Sequence, residues 1–417
     1  MLKTIELFAG VGGFRLGLEE NNIKKTNFEI VWSNQFEPST IKQQASMIYQ
    51  EWFGSTNHSS VDIEKVIEEN CNDIPKHDLL VGGFPCQDYS VAKSSSDANG
   101  IKGKKGGLWW SIIKILEAHS PNYIMLENVD SLLKSTSTLR GRDFALILAS
   151  LSDLGYAVEW RVINAADYGM PQRRKRIFIL AYKKGTKIYN RITKLKASDD
   201  LIHWVENKGI LQDAFPMKFQ NEMFQNFNKI EGSLAEISDN NLKFNSKIKP
   251  FANSGLMINR IVASKNGIAN YKGDYLYLKD IVLDEKKVQE DFFIPDHELE
   301  KWKYLKGAKK LIKTSRTGHD YPYDEGPVTY PDDLNRASRT IVTGEGGKSP
   351  SRFKHVIQTN SGRLRRLTPY ELEKLNMFPG NLTKIDGVSE GRRAFFMGNA
   401  LVVGVVSKIA KSLLKGL

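Results

Sequence analysis

Lys3-Thr4-Ile5-Glu6-Leu7-Phe8-Ala9-Gly10-Val11-Gly12-Gly13 is the stretch in which the fold of this chain is decided. Residues 3–8 read as a short apolar strand, glycines follow at 10, 12 and 13, and residues 13–21 then carry apolar side chains at helical spacing. A strand that ends in glycines and opens a helix lets the backbone turn tightly and approach a nucleotide-like ligand closely. The spacing is not the GxGxxG that favours a pyrophosphate, so the loop suits a methyl donor better than a dinucleotide.

Outward from that loop the same alternation repeats. Residues 28–32, 79–84, 123–126 and 176–182 read as strands, and residues 40–52, 108–118 and 143–154 as helices. This βαβ pattern predicts an α/β fold with a doubly wound parallel sheet. From 187 to 360 it loosens into short segments rich in Lys, Asn, Asp and Gly, with turn signals at Gly307, Gly318, Gly326 and Gly344, which predicts a second domain. The lysine-rich stretch 301–313 reads as a solvated face rather than a phosphate lining. Near 366–379 a helical pattern returns, with Thr368 as cap and Glu371 as its capping-box partner. Residues 398–414 read as an apolar turn and helix that returns to the first domain. The expected division is 1–186 with 391–417 as a catalytic domain, and 187–390 as a smaller domain.

A chain of 417 residues buries a sizeable core without staples, and its two cysteines speak for a reducing compartment rather than a disulfide framework or a zinc site, so no metal is expected. The formal charge of +12 favours a polyanionic partner, since lysines and arginines that neutralise phosphates release counterions. The sequence shows no leader, and no apolar run is expected to reach the length of a membrane span.

Chemistry gathers at the predicted carboxyl ends of strands, where open α/β sheets place their sites. Cys86 stands in Gly82-Gly83-Phe84-Pro85-Cys86-Gln87, among glycines, a proline and polar residues that make an exposed turn and a thiol placed to react. Cys71 reads as an ordinary buried thiol. Glu127-Asn128 ends the apolar run 123–126 beside the Cys86 loop, which makes a site carboxyl a better reading than a cap or surface ion pair. In Gln172-Arg173-Arg174-Lys175-Arg176 alternate residues share a face, suited to gripping a phosphate or a carbonyl oxygen.

The order of these elements resembles the DNA (cytosine-5) methyltransferases from near the first residue to the last. Glu6 to Phe14 is similar to that family's donor-binding motif, Pro85-Cys86-Gln87 to its nucleophile motif, and Glu127-Asn128-Val129 to its base-recognition motif. The resemblance continues through Gln172, Arg174 and Arg176, through Arg366-Leu367-Thr368-Pro369 with Glu371, and through Gly398-Asn399-Ala400. It implies a Rossmann-like S-adenosylmethionine-dependent methyltransferase sheet with a smaller target-recognition domain. It further implies that Phe8, Gly10, Gly12, Asp62, Ile63, Pro85, Leu108 and Asn399 surround S-adenosylmethionine, with Asp62 accepting from the adenine amino group and Phe36 stacking on adenine. Where the family has a glutamate before that aromatic residue, this chain has Gln35-Phe36-Glu37, so the ribose falls to Gln35 by register or to Glu37 from a shifted turn.

The reaction the resemblance implies is methylation of cytosine carbon 5 in duplex DNA, after a Cys86 thiolate adds to carbon 6 of a base flipped out of the stack. Glu127 then hydrogen-bonds ring nitrogen 3 and the exocyclic amine, and Arg174 or Arg176 holds the base carbonyl. The loop 88–107, with Lys93, Lys102, Lys104 and Lys105, is expected to close over the site. Gln87, and Arg339-Thr340 in the variable region, are expected to touch DNA. A tRNA-methylating branch of the family, a silent DNA-binding protein and a nicotinamide oxidoreductase are the alternatives. The long variable region, the complete Cys86, Glu127 and Arg176 set and the Cys and Glu motifs weigh against each in turn. A bacterial, cytoplasmic and nucleoid-associated monomer is expected, with no membrane partner and with a cognate restriction endonuclease as a plausible companion.

Overall fold

The computed structural model describes residues 1–20, 27–84, 107–134, 141–195, 197–238, 251–314 and 318–417. Its strands β1 (Leu2–Leu7), β2 (Phe28–Asn34), β3 (His58–Ser59), β4 (Leu79–Gly83) and β5 (Tyr123–Val129) are parallel, in the order β3-β2-β1-β4-β5. Leu79, Leu80 and Val81 are wholly buried, as a central strand covered on both faces requires. Helices α1 (Gly13–Glu19), α2 (Gln44–Phe53), α3 (Ile63–Asn70), α4 (Leu108–His119) and α5 (Arg142–Asp153) complete the alternating pattern. Every side chain of α5 from Asp143 to Leu151 is buried, so this helix has no solvent face.

Beyond β5 the sheet departs from the expected all-parallel form. Strand β6 (Tyr156–Asn164) was not legible in the sequence, and β7 (Lys175–Lys183) lies between β5 and β6, antiparallel to both. The amino end of β7 therefore lies at the edge where the parallel strands end, and Arg176 pairs with Val129 there. After α6 (Lys187–Ile192), α7 (Ser198–His203) and α8 (Ile210–Ala214) come β8 (Met217–Lys218), β9 (Gln225–Lys229), α9 (Leu234–Ser238), β10 (Ser254–Ile258), β11 (Ile261–Lys265) and β12 (Ile268–Ala269). Strand β10 pairs with β6, and β11 and β9 follow, which completes a ten-stranded sheet. Short β8 and β12 pair with each other.

The chain forms two compact units. The first holds Met1–Tyr168, Lys175–Gly273 and Val403–Leu417, and the second Gly169–Arg174 and Asp274–Val402. This moves the division expected at 186: residues up to Gly273 belong with the sheet because β10 is hydrogen-bonded onto β6. At the other end, residues 391–402 belong to the second unit, whereas helix α13 (Val403–Gly416) returns to the first and packs on α1.

The second unit contains α10 (Leu299–Lys306), the hairpin β13 (Lys309–Thr314) with β14 (Asp320–Glu325), the pair β15 (Val356–Gln358) with β16 (Leu364–Arg366), α11 (Pro369–Leu375) and α12 (Glu390–Asn399). Thr368 caps α11 and Glu371 closes the capping box, as the sequence predicts. One stretch, Glu390–Gly416, does reach the length and apolarity of a membrane span, contrary to expectation. It is broken at residues 400–402 into α12 and α13, and 61% of its apolar window is buried in protein.

Candidate active site

Among the described residues, the turns after β1, β2 and β3 leave the edge of the first unit's sheet at which the parallel strands end. After β1, Phe8 takes a left-handed backbone at φ 54°, Gly12 turns at φ 89°, and α1 begins. Gly12 permits a close approach as well as a turn: a Cβ there would stand 2.4 Å from Phe53 Cε2 on α2. Gly10 N–H donates to Gln35 Oε1 at 2.7 Å, so the residue that follows β2 closes onto the glycine loop. Phe36 beside it is half-buried. Glu37 is turned to another task, since its Oε2 accepts the Ala45 N–H at 2.9 Å in the first turn of α2. Of the two ribose candidates, the structure thus sets Gln35 against the loop and Glu37 on α2.

Asp62 caps α3 by accepting from Glu64 N–H at 3.1 Å, and Ile63 behind it is buried. Asn34, at the end of β2, donates to Val61 O at 2.8 Å and to Ser59 O at 3.2 Å, which fixes the turn that presents Asp62. Sequence reasoning passed over Asn34. Leu108 opens α4 and is half-buried. Phe8, Gly10, Gly12, Gln35, Phe36, Asp62, Ile63 and Leu108 all belong to the first unit, and exposed Asn399, at the end of α12, to the second.

Glu127 and Arg176 meet at the same edge. The Arg176 Nε lies 2.9 Å from Glu127 Oε1, with the two side chains 18% and 14% exposed. Glu127 is in register with Gly83 of β4, and a Cβ on Gly83 would come within 3.1 Å of Glu127 Oε2, so the bare glycine makes room for the carboxylate. The neighbouring Asn128, buried, donates to Phe84 O at 2.8 Å. The backbone at Gly83 and Phe84 is therefore fastened to the Glu127 strand by the strand pairing and by Asn128. Pro85, Cys86, Gln87 and residues 88–106 of the expected lid lie outside the described residues.

The two arginines that the sequence left as alternatives part company. Arg174 is buried in the second unit, where it donates to Ile341 O at 3.1 Å and to Gly398 O at 2.9 Å. Gln172 joins it there: its amide bonds Asn376 Oδ1 at 2.7 Å and accepts Ile341 N–H at 3.0 Å. The expected DNA-contact pair is also engaged with protein. Arg339 donates to both oxygens of Asp332, at 2.6 and 3.1 Å, and to Phe353 O at 3.2 Å, while the Thr340 hydroxyl donates to Arg173 O.

A mixed sheet whose first five strands are parallel, and whose rim carries a glycine loop, the Asp62 turn and a Glu–Arg pair, has the S-adenosylmethionine-dependent methyltransferase fold. Solved structures agree: Dnmt2 methyltransferase of S. pombe superposes with a TM-score of 0.58 over 99% of this chain and 98% of that one, at 17% identity. The Dnmt2 of Spodoptera frugiperda gives 0.56 at 16% identity, over 99% of each chain. The chain belongs to the C-5 cytosine-specific DNA methylase family, whose model matches residues 2–415. It is 43% identical to the type II methyltransferase M.Sau3AI of Staphylococcus aureus over 99% of this chain and 96% of that protein. It is 33% identical to M.HhaI of Haemophilus parahaemolyticus over 45% of this chain and 51% of that protein. The chain is thus a DNA (cytosine-5-)-methyltransferase of the restriction–modification type.

Proposed function

We propose that this enzyme methylates cytosine within one short sequence of duplex DNA through a covalent bond to Cys86. What supports this most directly is the fastening of the Phe84 end of β4 to Asn128, beside the Glu127–Arg176 pair. The residue two positions on from Phe84 is Cys86. Carbon 5 of cytosine is a poor nucleophile until a thiolate adds to carbon 6 and drives an electron pair towards carbon 5. Glu127, carrying a proton on its carboxyl group, donates to ring nitrogen 3 and accepts from the exocyclic amine, stabilising the charge that develops as the S–C6 bond forms. Arg176 holds that carboxyl group in place and brings positive charge to the base carbonyl, whereas Arg174 braces the second unit.

Gly10 and Gly12, Phe8, Gln35, Phe36, Asp62, Ile63, Pro85, Leu108 and Asn399 hold S-adenosylmethionine. The cradle fits such a group in three respects: the glycine turn, the Gln35 closure onto Gly10, and the Asp62 carboxyl presented by Asn34. When bound, S-adenosylmethionine supplies an electrophilic methyl group. Once carbon 5 carries the methyl group, its proton passes to a water base, the C5–C6 double bond re-forms, and the S–C6 electron pair leaves on sulfur, releasing Cys86 as the thiolate. Because the target carbon is stacked in the duplex, the base is flipped out first, at roughly a few kcal/mol.

The first unit carries the catalysis and the second the recognition of sequence, with Gln87, Arg339 and Thr340 against DNA. The enzyme acts as a monomer in the bacterial cytoplasm and protects DNA from an endonuclease of the same specificity; its likeness to a type II methyltransferase, covered over 96% of that protein, supports the restriction–modification part of this reading. Tritiated S-adenosylmethionine, mixed-sequence duplex DNA and bisulfite mapping, with Cys86→Ser alongside, test this reading. Label at one short motif, absent in the variant, is expected. Transfer to RNA alone, or undiminished transfer by Cys86→Ser, would overturn it.

A further inference from the structure

Glu6 is a carboxyl with no exposure at all, in the central strand β1, two residues before the glycine loop. Burying a carboxyl is costly, and the reaction makes no use of this one. Its Oε2 accepts from the Tyr49 hydroxyl of α2 at 2.9 Å, and its Oε1 from Arg15 N–H of α1 at 3.4 Å. The Arg15 guanidinium turns back to the Tyr49 hydroxyl at 3.4 Å, lies 4.5 Å over the Phe53 ring, and is tied at its far side to Glu19 at 2.7 Å. Phe53 in turn is the ring that fills the space left by Gly12.

The other end of α2 reaches the second loop of the donor cradle. Glu37 receives the Ala45 N–H, and the Gln43 side chain bonds both Glu37 N–H, at 2.6 Å, and Glu37 O, at 3.0 Å. One helix therefore touches Gly12 with its last residue and the 35–37 segment with its first turn. We infer that Glu6 is a positioning residue for the methyl donor: through Tyr49 and Arg15 it sets α2, and α2 sets both loops that receive S-adenosylmethionine. The inference rests on the donor site proposed above.

The charged and titratable groups facing Glu6 are Arg15 and Glu19 from α1, Tyr49 from α2 and, behind Tyr49, His58 of β3. His58 stacks on the Tyr49 ring at 4.6 Å and bonds Ser33 Oγ and Ser46 Oγ, and burial pulls it down to about 4, so it is neutral at working pH. Burial pushes Glu6 up to about 7 from its ordinary value of 4.5, against the opposing pull of Tyr49 and Arg15. A raised folded value means that the stability Glu6 contributes is fully present below 4.5 and is lost as pH rises through 7. The ionised form is thus the costlier fold and the stronger acceptor for Tyr49 and Arg15, and on this inference it holds α2, and with it the two donor loops, the more firmly.

The test is calorimetric titration of the full chain with S-adenosylmethionine between about pH 6 and pH 8, beside methyl transfer at saturating donor, for wild type, Glu6→Gln and Tyr49→Phe. Expected are a donor Kd raised roughly fivefold in both variants at pH 8, the worth of about one hydrogen bond, and a kcat at saturating donor within about twofold of wild type. Wild-type affinity weakens as pH falls below 7, and Glu6→Gln shows a flat profile. An unchanged Kd with the pH dependence intact in Glu6→Gln, or a loss confined to kcat, would overturn the inference. If Glu6→Gln does not fold, Tyr49→Phe decides, since it keeps the carboxyl and nearly the same volume: an unchanged donor Kd there overturns it equally. No donor binding by wild type would instead overturn the donor site itself.

Discussion

Two Glu–Arg pairs of almost the same length sit in the two units. Glu127–Arg176 measures 2.9 Å at the rim of the sheet, and Glu371–Arg365 measures 2.7 Å in the second unit. The first pair is 14% and 18% exposed, the second 0% and 1%. Glu371 also accepts from Thr368 N–H at 2.7 Å, the Thr368 hydroxyl at 3.0 Å and Leu283 N–H at 2.7 Å, while Arg365 donates further to Leu283 O and Arg366 O. A charge taken fully out of water is tolerable only when its hydrogen bonds are largely met, and here both terminal nitrogens of Arg365 and both oxygens of Glu371 are bonded, while Arg365 Nε, among the described residues, is not. The difference is that the Glu371 pair is closed under its own caps, whereas the Glu127 pair, at a strand end, keeps some exposure to solvent, which on the function proposed above leaves it open to a base.

Glu371→Ala is the severest way to probe that contrast. It leaves Arg365 charged and buried, and should cost about 3–5 kcal/mol of unfolding free energy in urea. Glu127→Gln should do the reverse. The amide keeps the shape beside Gly83 but not the charge, so kcat should fall about 10²–10³-fold with unfolding free energy changed by less than about 1 kcal/mol. An equal loss of stability in Glu127→Gln would erase the distinction between the pairs.

The sequence made the rim of the first unit legible because each strand there ends in a residue pattern of its own. Gly10 to Gly13 and Glu127-Asn128 are local signals, and the helices between them have one clear apolar face, whereas Pro85-Cys86-Gln87 lies outside the described residues. Strand β6 was hidden by its charges. Glu159 and Arg161 look like a solvent face, yet both are buried: Glu159 accepts Leu211 N–H at 2.8 Å, and Arg161 donates to Leu211 O at 3.1 Å, so the pair brackets α8 some fifty residues away. The hairpin of β10 and β11 turns through Asn259 and Arg260 with φ of 51° and 63°, a pair of left-handed residues that lacks the usual glycine signal. The separate fates of Arg174 and Arg176 depend on which carbonyls and carboxylates the fold brings near, and nothing within five residues of either records that.

The mildest probe separates the cap from the pair. Thr368 and Glu371 form a capping box whose signature is visible in the sequence, but in the structure the same carboxylate also receives Arg365. Thr368→Ala removes the hydroxyl that accepts Glu371 N–H and donates to Glu371 Oε2, while Arg365 and the Thr368 N–H stay in place. The expected loss is about 1 kcal/mol, measured as unfolding free energy beside Glu371→Ala. A loss as large as that of Glu371→Ala would mean that the cap, not the arginine, accounts for the burial of this carboxylate. The closed pair would then be a consequence of helix initiation, and Glu127 would differ from Glu371 only in lacking a helix to start.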